Sequence, residues 1–559
     1  MSTVSKPVYE WNTIPWRAIE QAVFKLQKRI YQASQQGNSP AVHALQRLLM
    51  KSQTACLLAV RRVTQDNAGK KTAGVDGVKS LTPHQRLKLA DQLQQNPYIT
   101  TAPPVRRVWI PKKNTDELRP LGIPVMEQRA RQALAKLALE PEWEARFEPN
   151  SYGYRPGRSA HDAIEAIFKT ICHKAKYVLD ADVAQCFDRI NQTALLEKLH
   201  TYPQMRQTIQ AWLQAGIMDG AELFPSTAGT PQGSVISTLL ANVALHGLET
   251  AVAQKFARRS KGRQLAPKVV RFADDFVVID EDETVLQAAK EYIADWLATL
   301  GLELKPSKTR ITHTLQKYEG PVGFDFLGFH IQQFKTGKGH SGKRRGGIRL
   351  GFKTLIRPSK EAIKRHIATM GAVVNRHKAV RQADLIRHLN PQISGWANYY
   401  ASVCSKAVFN AVDHYLVYQL LAWTRRRHAT KSKDWRRQKY WCDGWSFSDG
   451  TNTLHKHTDT AITRHVKVAG NRSVFDGAWV YWASRMGRHP EIPKRIALLL
   501  KRQKGSCPYC GLYFRESDAW EQDHSVPKRR QGSDGFDNRQ LLHKHCHDQK
   551  TATETRMAA

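Results

Sequence analysis

The sequence predicts an α+β multidomain protein. Its 559 residues are too many for one hydrophobic core, and a chain of this length usually divides into roughly three or four domains. From about residue 70 to residue 329, short β-branched and aromatic runs alternate with helical apolar spacing, and Gly and Pro are frequent. On either side, in residues 15–62 and 358–428, the apolar spacing is helical.

The charge balance indicates a polyanionic partner. The chain has 86 Lys and Arg against 49 Asp and Glu, a formal net charge of +37. So large an excess destabilises a compact state unless a polyanion neutralises it, and nucleic acid is the natural candidate. A membrane surface is the competing polyanion, but no apolar run approaches the roughly 18 residues needed to span a bilayer. Because the N-terminus lacks a signal-peptide pattern, we expect an intracellular, cytoplasmic protein with no membrane partner.

Two adjacent aspartates, Asp274 and Asp275, lie between apolar runs in residues 269–279, which predicts a β-hairpin with the pair at its tip. Such a pair is often a solvated turn. If the fold fixes it, however, the repelling carboxylates call for a cation, and oxygen ligands suit Mg²⁺. Residues 177–183 are predicted to be a strand with Asp180 and Asp182 on one face. A third acid from that strand would complete a two-metal site for phosphoryl transfer.

Seven short blocks occur in a fixed order along this region. They are residues 74–77 (GVDG), 119–124 (RPLGIP), 182–188 (DVAQCFD), 229–233 (GTPQG), 272–275 (FADD), 300–308 (LGLELKPSK) and 326–329 (FLGF). In sequence and order they resemble the polymerase blocks of group II intron-encoded proteins, which are reverse transcriptases and splicing maturases.

This resemblance implies a right-hand polymerase fold. Fingers and palm would occupy residues 70–335, and residues 1–69 would form a helical N-terminal extension of the fingers. An α-helical thumb, the maturase X domain, would follow in residues 345–430, where residues 389–400 resemble its signature.

By position in these blocks, Asp182, Asp274 and Asp275 would be the catalytic carboxylates that bind Mg²⁺. Asp180 would be a structural neighbour, because the matching acid is followed by an apolar residue and then the Cys-Phe-Asp run. The usual Tyr-Ala-Asp-Asp is Phe-Ala-Asp-Asp here, and the lost hydroxyl at Phe272 should leave the metal site intact.

The resemblance also implies contacts with the incoming nucleotide. Arg119 and one of two preceding lysines would neutralise the triphosphate, as phosphoryl transfer requires. Gln232 would lie against the nucleotide, and Phe187, or Cys186 beside it, would crowd the ribose 2′ position. The residues expected to bind the nucleotide are Lys112, Lys113, Arg119, Phe187, Gln232 and Lys308.

A basic stretch follows the predicted thumb. Residues 425–439 hold eight Lys or Arg and one Asp, and four aromatic residues lie in this stretch or just after it: Trp435, Tyr440, Trp441 and Trp445. Rings that stack on bases and cations that hold the backbone are typical of nucleic-acid binding, so residues 431–494 are expected to form a DNA-binding domain. The alternative is a solvated surface with buried rings.

Eight cysteines in an intracellular chain of this size do not indicate a disulfide framework. Near the C-terminus, however, Cys507 and Cys510 are followed by His543 and Cys546, a Cys-x₂-Cys and His-x₂-Cys pattern. Three thiolates and an imidazole form a closed, structural Zn²⁺ site. His545 could replace His543 in this set.

Residues 495–559 also resemble the ββα-metal motif of HNH nucleases. His524 would be the general base that activates water, a role suited to its near-neutral pKa. Asp523 and His547 would bind one catalytic Mg²⁺, and Asn538 would orient His524 and its loop.

Together these parts predict a protein that binds its intron RNA and assists splicing. The RNA itself would catalyse the splicing reaction. In retrohoming, the HNH module would nick target DNA, and the polymerase would copy intron RNA from the new 3′ end with dNTPs. Two alternatives stay open: an RNA-binding maturase with an inert polymerase, and a reverse transcriptase of a defence or diversity system. The sequence leaves the oligomeric state open.

Overall fold

The fold is α+β, which confirms the predicted class. The computed structural model describes residues 10–111, 118–220, 222–260, 263–337, 339–344, 346–442, 444, 446–487, 492–515 and 518–556. Three residues singled out above, Lys112, Lys113 and Trp445, lie outside these ranges. In the part of the chain that is described, no helix is both long enough and apolar enough to cross a bilayer.

The N-terminal region is a layer of helices followed by the first strands. Its elements are α1 (Trp16–Gln35), α2 (Ser39–Met50), α3 (Gln53–Arg61), α4 (Pro83–Gln95), β1 (Val105–Pro111), β2 (Leu118–Ile123) and α5 (Met126–Arg146). Helix α1 packs along α5 because one of its faces carries the buried side chains of Ile19, Val23 and Ile30. Helix α4 begins in a capping box, in which Thr82 and Gln85 exchange backbone-to-side-chain hydrogen bonds.

The central region carries the sheet that holds the three aspartates. Its elements are α6 (Ala160–Ile171), β3 (Tyr177–Asp182), α7 (Cys186–Arg189), α8 (Gln192–Leu199), α9 (Pro203–Leu213), β4 (Ile217–Asp219), β5 (Glu222–Phe224), α10 (Ser237–Leu245), α11 (Leu248–Lys255), β6 (Arg258–Ser260), β7 (Arg263–Leu265), β8 (Lys268–Phe272), β9 (Asp275–Asp280), α12 (Glu283–Ala298) and β10 (Arg310–His313). One antiparallel sheet has the order β10-β3-β9-β8, and a second sheet has the order β2-β1-β4-β5. Strand β9 is almost wholly buried, because helices cover the first sheet.

The helical region that follows contains a hydrophobic core that includes residues on both sides of residue 430. Its elements are β11 (Phe324–Phe326), β12 (Phe329–Lys335), β13 (Phe352–Pro358), α13 (Lys360–Arg376), α14 (Gln382–Tyr400), α15 (Lys406–Arg427), α16 (Lys433–Tyr440), β14 (Trp441–Cys442) and β15 (Ser446–Phe447). Tyr440, Trp441 and Phe447 are buried in one core with Trp423 of α15. The packing therefore does not break between residues 430 and 431.

The aromatic rings of the basic segment divide into two kinds. Tyr440 and Trp441 are core residues. Trp435 is only partly buried, and the ammonium groups of Lys431 and Lys439 lie 5.5 and 4.9 Å from its ring centroid. A partly exposed aromatic ring with lysines beside it is the combination expected at a nucleic-acid contact.

The C-terminal region is a ββα unit preceded by two helices. Its elements are α17 (Trp479–Met486), α18 (Lys494–Arg502), β16 (Trp520–His524), β17 (Arg539–His543) and α19 (Lys544–Arg556). Strands β16 and β17 pair in antiparallel register, so that His524 lies opposite Arg539. Leu499, Phe514 and Leu541 form a separate small hydrophobic core with the three cysteines predicted to bind zinc, Cys507, Cys510 and Cys546.

Candidate active sites and metal centre

The three aspartates of the predicted polymerase site come together at one end of the central sheet. Asp182 ends β3 and lies directly opposite Asp275, the first residue of β9. Residues that face each other in this way have Cβ atoms about 4.5–5.5 Å apart. Asp274 occupies the turn between β8 and β9, and its carbonyl accepts a hydrogen bond from Val183 N at 3.4 Å. The predicted hairpin and the predicted neighbouring strand are both present.

The turn itself needs an unusual backbone conformation and a close neighbour. Ala273 has φ +58°, in the left-handed region that side chains rarely adopt. Gly153 packs against this turn so tightly that a Cβ on it would lie 2.3 Å from Ala273 N. The sequence interpretation gave Gly153 no role.

The electrostatics of this site favour a bound cation. Burial, reinforced by the charges of Asp182 and Asp274, raises the pKa of Asp275 to about 7. Burial also raises the pKa of Asp274, although Lys308 and Arg119 act in the opposite direction. Three partly desolvated carboxylates in one place form an oxygen-only donor set, and this set fits a divalent ion such as Mg²⁺.

Lys308 is the cation nearest to these carboxylates. It ends a short 3-10 turn, Pro306–Lys308, and its Nζ atom donates to Asp182 Oδ2 at 2.7 Å. Burial would lower the pKa of Lys308, but its bond to Asp182 and the other acids raise it. Asp180, two residues earlier on β3, forms an ion pair with Arg310 at 3.3 Å.

A cavity of about 200 Å³ is lined by Phe187, Gln232 and Arg107, among others. Gly122 N donates to the carbonyl of Gln232 at 2.6 Å, which joins this loop to strand β2. Cys186, the alternative to Phe187, is buried in the core. The cavity therefore brings Phe187 and Gln232 together.

Two further side chains reach this region from other elements. Arg119, on β2, is exposed; burial raises the pKa of Asp274 and of Tyr154, and the charge of Arg119 acts in the opposite direction. Tyr154, to which the sequence interpretation assigned no role, lies edge-on to Phe187 with ring centroids 6.3 Å apart.

The four predicted zinc ligands form one cluster. Their ligand atoms lie within 4.8 Å of one another, and all four residues are buried: Cys507, Cys510, His543 and Cys546. His543 Nδ1 is 3.3 Å from Cys510 Sγ, and its Nε2 is 3.3 Å from a carboxylate oxygen of Asp518. A carboxylate behind a ligating histidine is a common support of zinc sites. His545 stacks beside His543 and is outside the cluster, so the structure favours His543.

The predicted nuclease residues lie on the ββα unit, and several of them contact other polar or charged side chains. Asp523 accepts from Lys550 Nζ at 2.5 Å and from Gln540 Nε2 at 3.0 Å. His547 Nδ1 is 3.4 Å from a carboxylate oxygen of Glu521. Asp523 and His547 thus have different partners, and a carboxylate and an imidazole are both side-chain types that can bind a metal ion.

Asn538 holds the loop that follows His524. Its Oδ1 accepts from Val526 N at 2.8 Å, and its Nδ2 donates to the carbonyls of Val526 and Ser533 at 2.9 and 2.7 Å. His524 Nε2 lies 2.9 Å from Asp534 Oδ1, a partner that the sequence did not indicate. Asn538 thus acts on the loop and not directly on the imidazole.

Comparison with known families agrees with this arrangement. The N-terminal domain of reverse transcriptase matches residues 11–93, and reverse transcriptase (RNA-dependent DNA polymerase) matches residues 110–331. The maturase-specific domain of group II introns matches residues 363–441, and HNH endonuclease matches residues 507–553. The chain is thus a reverse transcriptase joined to an endonuclease.

Individual relatives narrow this class. Group II intron-encoded protein LtrA of Lactococcus lactis subsp. cremoris is 27% identical over 435 residues, which cover 65% of this chain and 71% of LtrA. Protein YkfC of Escherichia coli (strain K12) is 32% identical over 325 residues, 51% of this chain and 83% of YkfC. Maturase-like protein 1 of Euglena gracilis is 27% identical over 321 residues, 57% of this chain and 64% of that protein. The chain belongs to the group II intron-encoded reverse transcriptase and maturase family, with an HNH endonuclease domain.

Proposed function

We propose that Asp182, Asp274 and Asp275 are the catalytic carboxylates with which this reverse transcriptase copies intron RNA into DNA. The observation that carries the proposal is the cross-strand pairing of Asp182 with Asp275, next to Asp274 in the adjoining turn. Mg²⁺ held there would supply charge neutralisation for the primer 3′-oxygen and for the departing pyrophosphate. The carboxylates themselves fix the position at which the primer end and the triphosphate meet.

The nucleotide would enter between the fingers and the carboxylates. Phe187 and Gln232 line one cavity, and Phe187 would restrict the ribose 2′ position. Arg119 and Lys308 supply positive charge on the triphosphate side. Lys112 and Lys113 stay a prediction from the sequence.

For the endonuclease, we propose that His524 takes a proton from the attacking water. Asp523 and His547 would hold the catalytic Mg²⁺, which stabilises the leaving 3′-oxygen. Asn538 supports the role of His524 because it holds the backbone of residues 525–533 in place. The Cys507, Cys510, His543 and Cys546 cluster would bind structural Zn²⁺.

Membership of this family implies that the protein binds intron RNA. We propose that it assists splicing of that RNA and then supports retrohoming, in which one target strand is nicked and primes reverse transcription. Trp435, with Lys431 and Lys439 around its ring, is a candidate contact for target DNA in the basic segment. We propose domain boundaries at residues 431 and 495 because the segments they separate are expected to have different functions. Hydrophobic packing continues across both positions.

Primer extension on a generic primed RNA tests the polymerase assignment. Asp275→Asn should abolish extension, whereas Asp180→Asn, on the same strand and paired with Arg310, should extend at nearly the wild-type rate. Splicing assistance should survive in both variants. Extension by the Asp275 variant at the wild-type rate would remove the metal assignment, and an inert wild-type enzyme would favour the maturase alternative.

Nicking of a duplex target tests the nuclease. His524→Ala should stop nicking and leave extension from a pre-nicked target unchanged. Continued nicking by this variant would exclude His524 as the base. Sequencing the RNA that copurifies with the protein would identify its partner, and recovery of no structured intron RNA would favour a defence or diversity system.

A further inference from the structure

A buried carboxylate outside both active sites joins helix α6 to the segment that precedes the endonuclease. Asp162, in the first turn of α6, has no exposed surface. Its Oδ2 atom serves the helix, because Ser159 N and Ser159 Oγ donate to it at 3.0 and 3.2 Å. Its Oδ1 atom is therefore available to other parts of the chain.

That second oxygen binds a segment about 300 residues away in sequence, residues 462–487, called here the anchor segment. Val468 N donates to Asp162 Oδ1 at 2.8 Å, Arg485 Nη2 donates at 2.5 Å, and His465 Nε2 lies at 3.2 Å. Arg485 also donates to the carbonyl of Val466 at 2.5 Å. Burial would raise the pKa of Asp162, but His465 and Arg485 hold it well below its usual range.

Apolar packing seats the anchor segment on the polymerase as well. Trp482 is buried and lies so close to Gly157 that a Cβ on this glycine would be 2.4 Å from the indole ring. Phe475 packs with Phe24 and Tyr31 of α1. The segment therefore contacts both the central region and the N-terminal helices.

At its far end the anchor segment meets the endonuclease. The guanidinium of Arg515 lies 5.3 Å from the ring centroid of Trp479 and 4.8 Å from that of Phe24. A Cβ on Gly505 would be 2.1 Å from Ala483 Cβ, so the two backbones are in close contact. The nuclease also touches the N-terminal region directly, because Gln549 Nε2 donates to the carbonyl of Ile14 at 3.4 Å.

We propose that Asp162 is a positioning residue for the endonuclease: it fixes the anchor segment on the polymerase and so determines where the target strand is nicked. The inference rests on the nicking activity proposed above. A nuclease on a loose tether would cut over a range of positions, whereas a docked one cuts at a fixed distance from the site where the polymerase holds its primer. A buried ion pair is suited to this role because it specifies one arrangement.

The test uses the full chain bound to its RNA and compares two arginines of the anchor segment. Arg485→Gln removes the principal cation of Asp162. Arg472→Gln is the matched control, because Arg472 pairs with Asp476 at 3.5 Å and its side chain is half exposed. The measurements are extension from a pre-nicked target, and the rate and map of nicks on an intact target.

We expect both variants to extend at the wild-type rate. In Arg485→Gln, nicking at the wild-type position should fall by about 100-fold, the loss that a shift of about 1 Å can cause, and nicks should scatter. Arg485→Lys, which keeps the charge, should return the nicks to the wild-type position. Hydrogen exchange at Val468 N should speed up in Arg485→Gln alone.

Wild-type nicking by Arg485→Gln, in rate and position, would overturn the inference and leave the nuclease assignment intact. If this variant loses extension as well, His465→Gln decides, because it removes the other side-chain partner of Asp162 Oδ1 and leaves Arg485 in place. The same separation of nicking from extension would support the inference, and unchanged nicking would overturn it. A wild-type protein that extends but never nicks would refute the nuclease proposal and the inference with it.

Discussion

The Nζ atom of Lys308 lies 2.7 Å from the Oδ2 atom of Asp182, so the acid at the end of β3 already has a counter-charge in the protein. The lysine side chain is 56% exposed, and a triphosphate could draw it away without unpacking the core. We propose that Lys308 neutralises Asp182 in the free enzyme and the phosphates of the substrate once it binds.

Lys308→Met should therefore lower kcat/KM for dNTPs by about 10- to 100-fold, the equivalent of the roughly 1.5–3 kcal/mol of a hydrogen bond to a charged group. Steady-state extension on a primed RNA measures this. Lys305→Met is the control, because only the backbone N–H of Lys305 reaches Asp182. An equal decrease of kcat/KM in both variants would show that the effect comes from the loss of a positive charge in this region and not from the position of Lys308.

Gly153→Ala should lower polymerase activity by displacing the hairpin turn that carries Asp274, although Gly153 is not itself one of the proposed catalytic residues. The added Cβ would meet backbone atoms of Phe272 and Ala273 at 2.8 and 2.3 Å, and backbone cannot yield as a side-chain end can. The hairpin tip must shift, and we expect extension to fall about 100-fold. Gly395→Ala, inside α14 with open space around it, should keep full activity and gain about 0.5–1 kcal/mol of stability. Full activity in Gly153→Ala would show that the hairpin tolerates displacement.

Zinc removal should affect one module only. Cys546→Ser, or chelation of the wild-type protein, should unfold residues from about 495 onward and abolish nicking, while primer extension persists. Metal analysis should find one zinc per chain, and Asp518→Asn should weaken zinc binding about 10- to 100-fold. Cys404→Ser, at an exposed cysteine, should behave as wild type. A module that resists proteolysis after chelation would contradict the zinc assignment.

The helical thumb should lose stability in mild acid. Burial, together with the neighbouring His457, lowers the pKa of His366 to about 3. An unfolded histidine protonates near pH 6.5, so between about pH 6.5 and pH 3 the unfolded state binds the extra proton. Stability is full above about pH 6.5 and falls as pH decreases, by at most about 1.4 kcal/mol per pH unit for this residue.

His366→Gln should flatten that pH dependence. Hydrogen exchange of helices α13 to α15 at a series of pH values reports it. His388→Gln, at an exposed histidine of α14, should retain the wild-type slope. An unchanged slope in His366→Gln would mean that other groups carry the acid sensitivity.

Much of the candidate chemistry could be predicted because it depends on residues close together in sequence. Three patterns of this kind are short in sequence, and the proposed chemistry requires their residue types. They are the hairpin around Asp274 and Asp275, the strand ending at Asp182, and the spacing of Cys507 and Cys510. The choice between His543 and His545 could not be made in this way. It depended on which ring the pairing of β16 with β17 turns toward the thiolates.

By itself, the sequence determined the class of protein, the order of its polymerase blocks and the kinds of side chain at each proposed metal site. Only the tertiary structure decided that Lys308 binds Asp182, that Gly153 packs against the hairpin turn, and that Tyr440, Trp441 and Phe447 share a core with Trp423. It also placed Asp162 against the anchor segment. The physical reason is range: catalytic groups leave local patterns of residue type and spacing, whereas these contacts join distant segments through burial and shape, which no local pattern records.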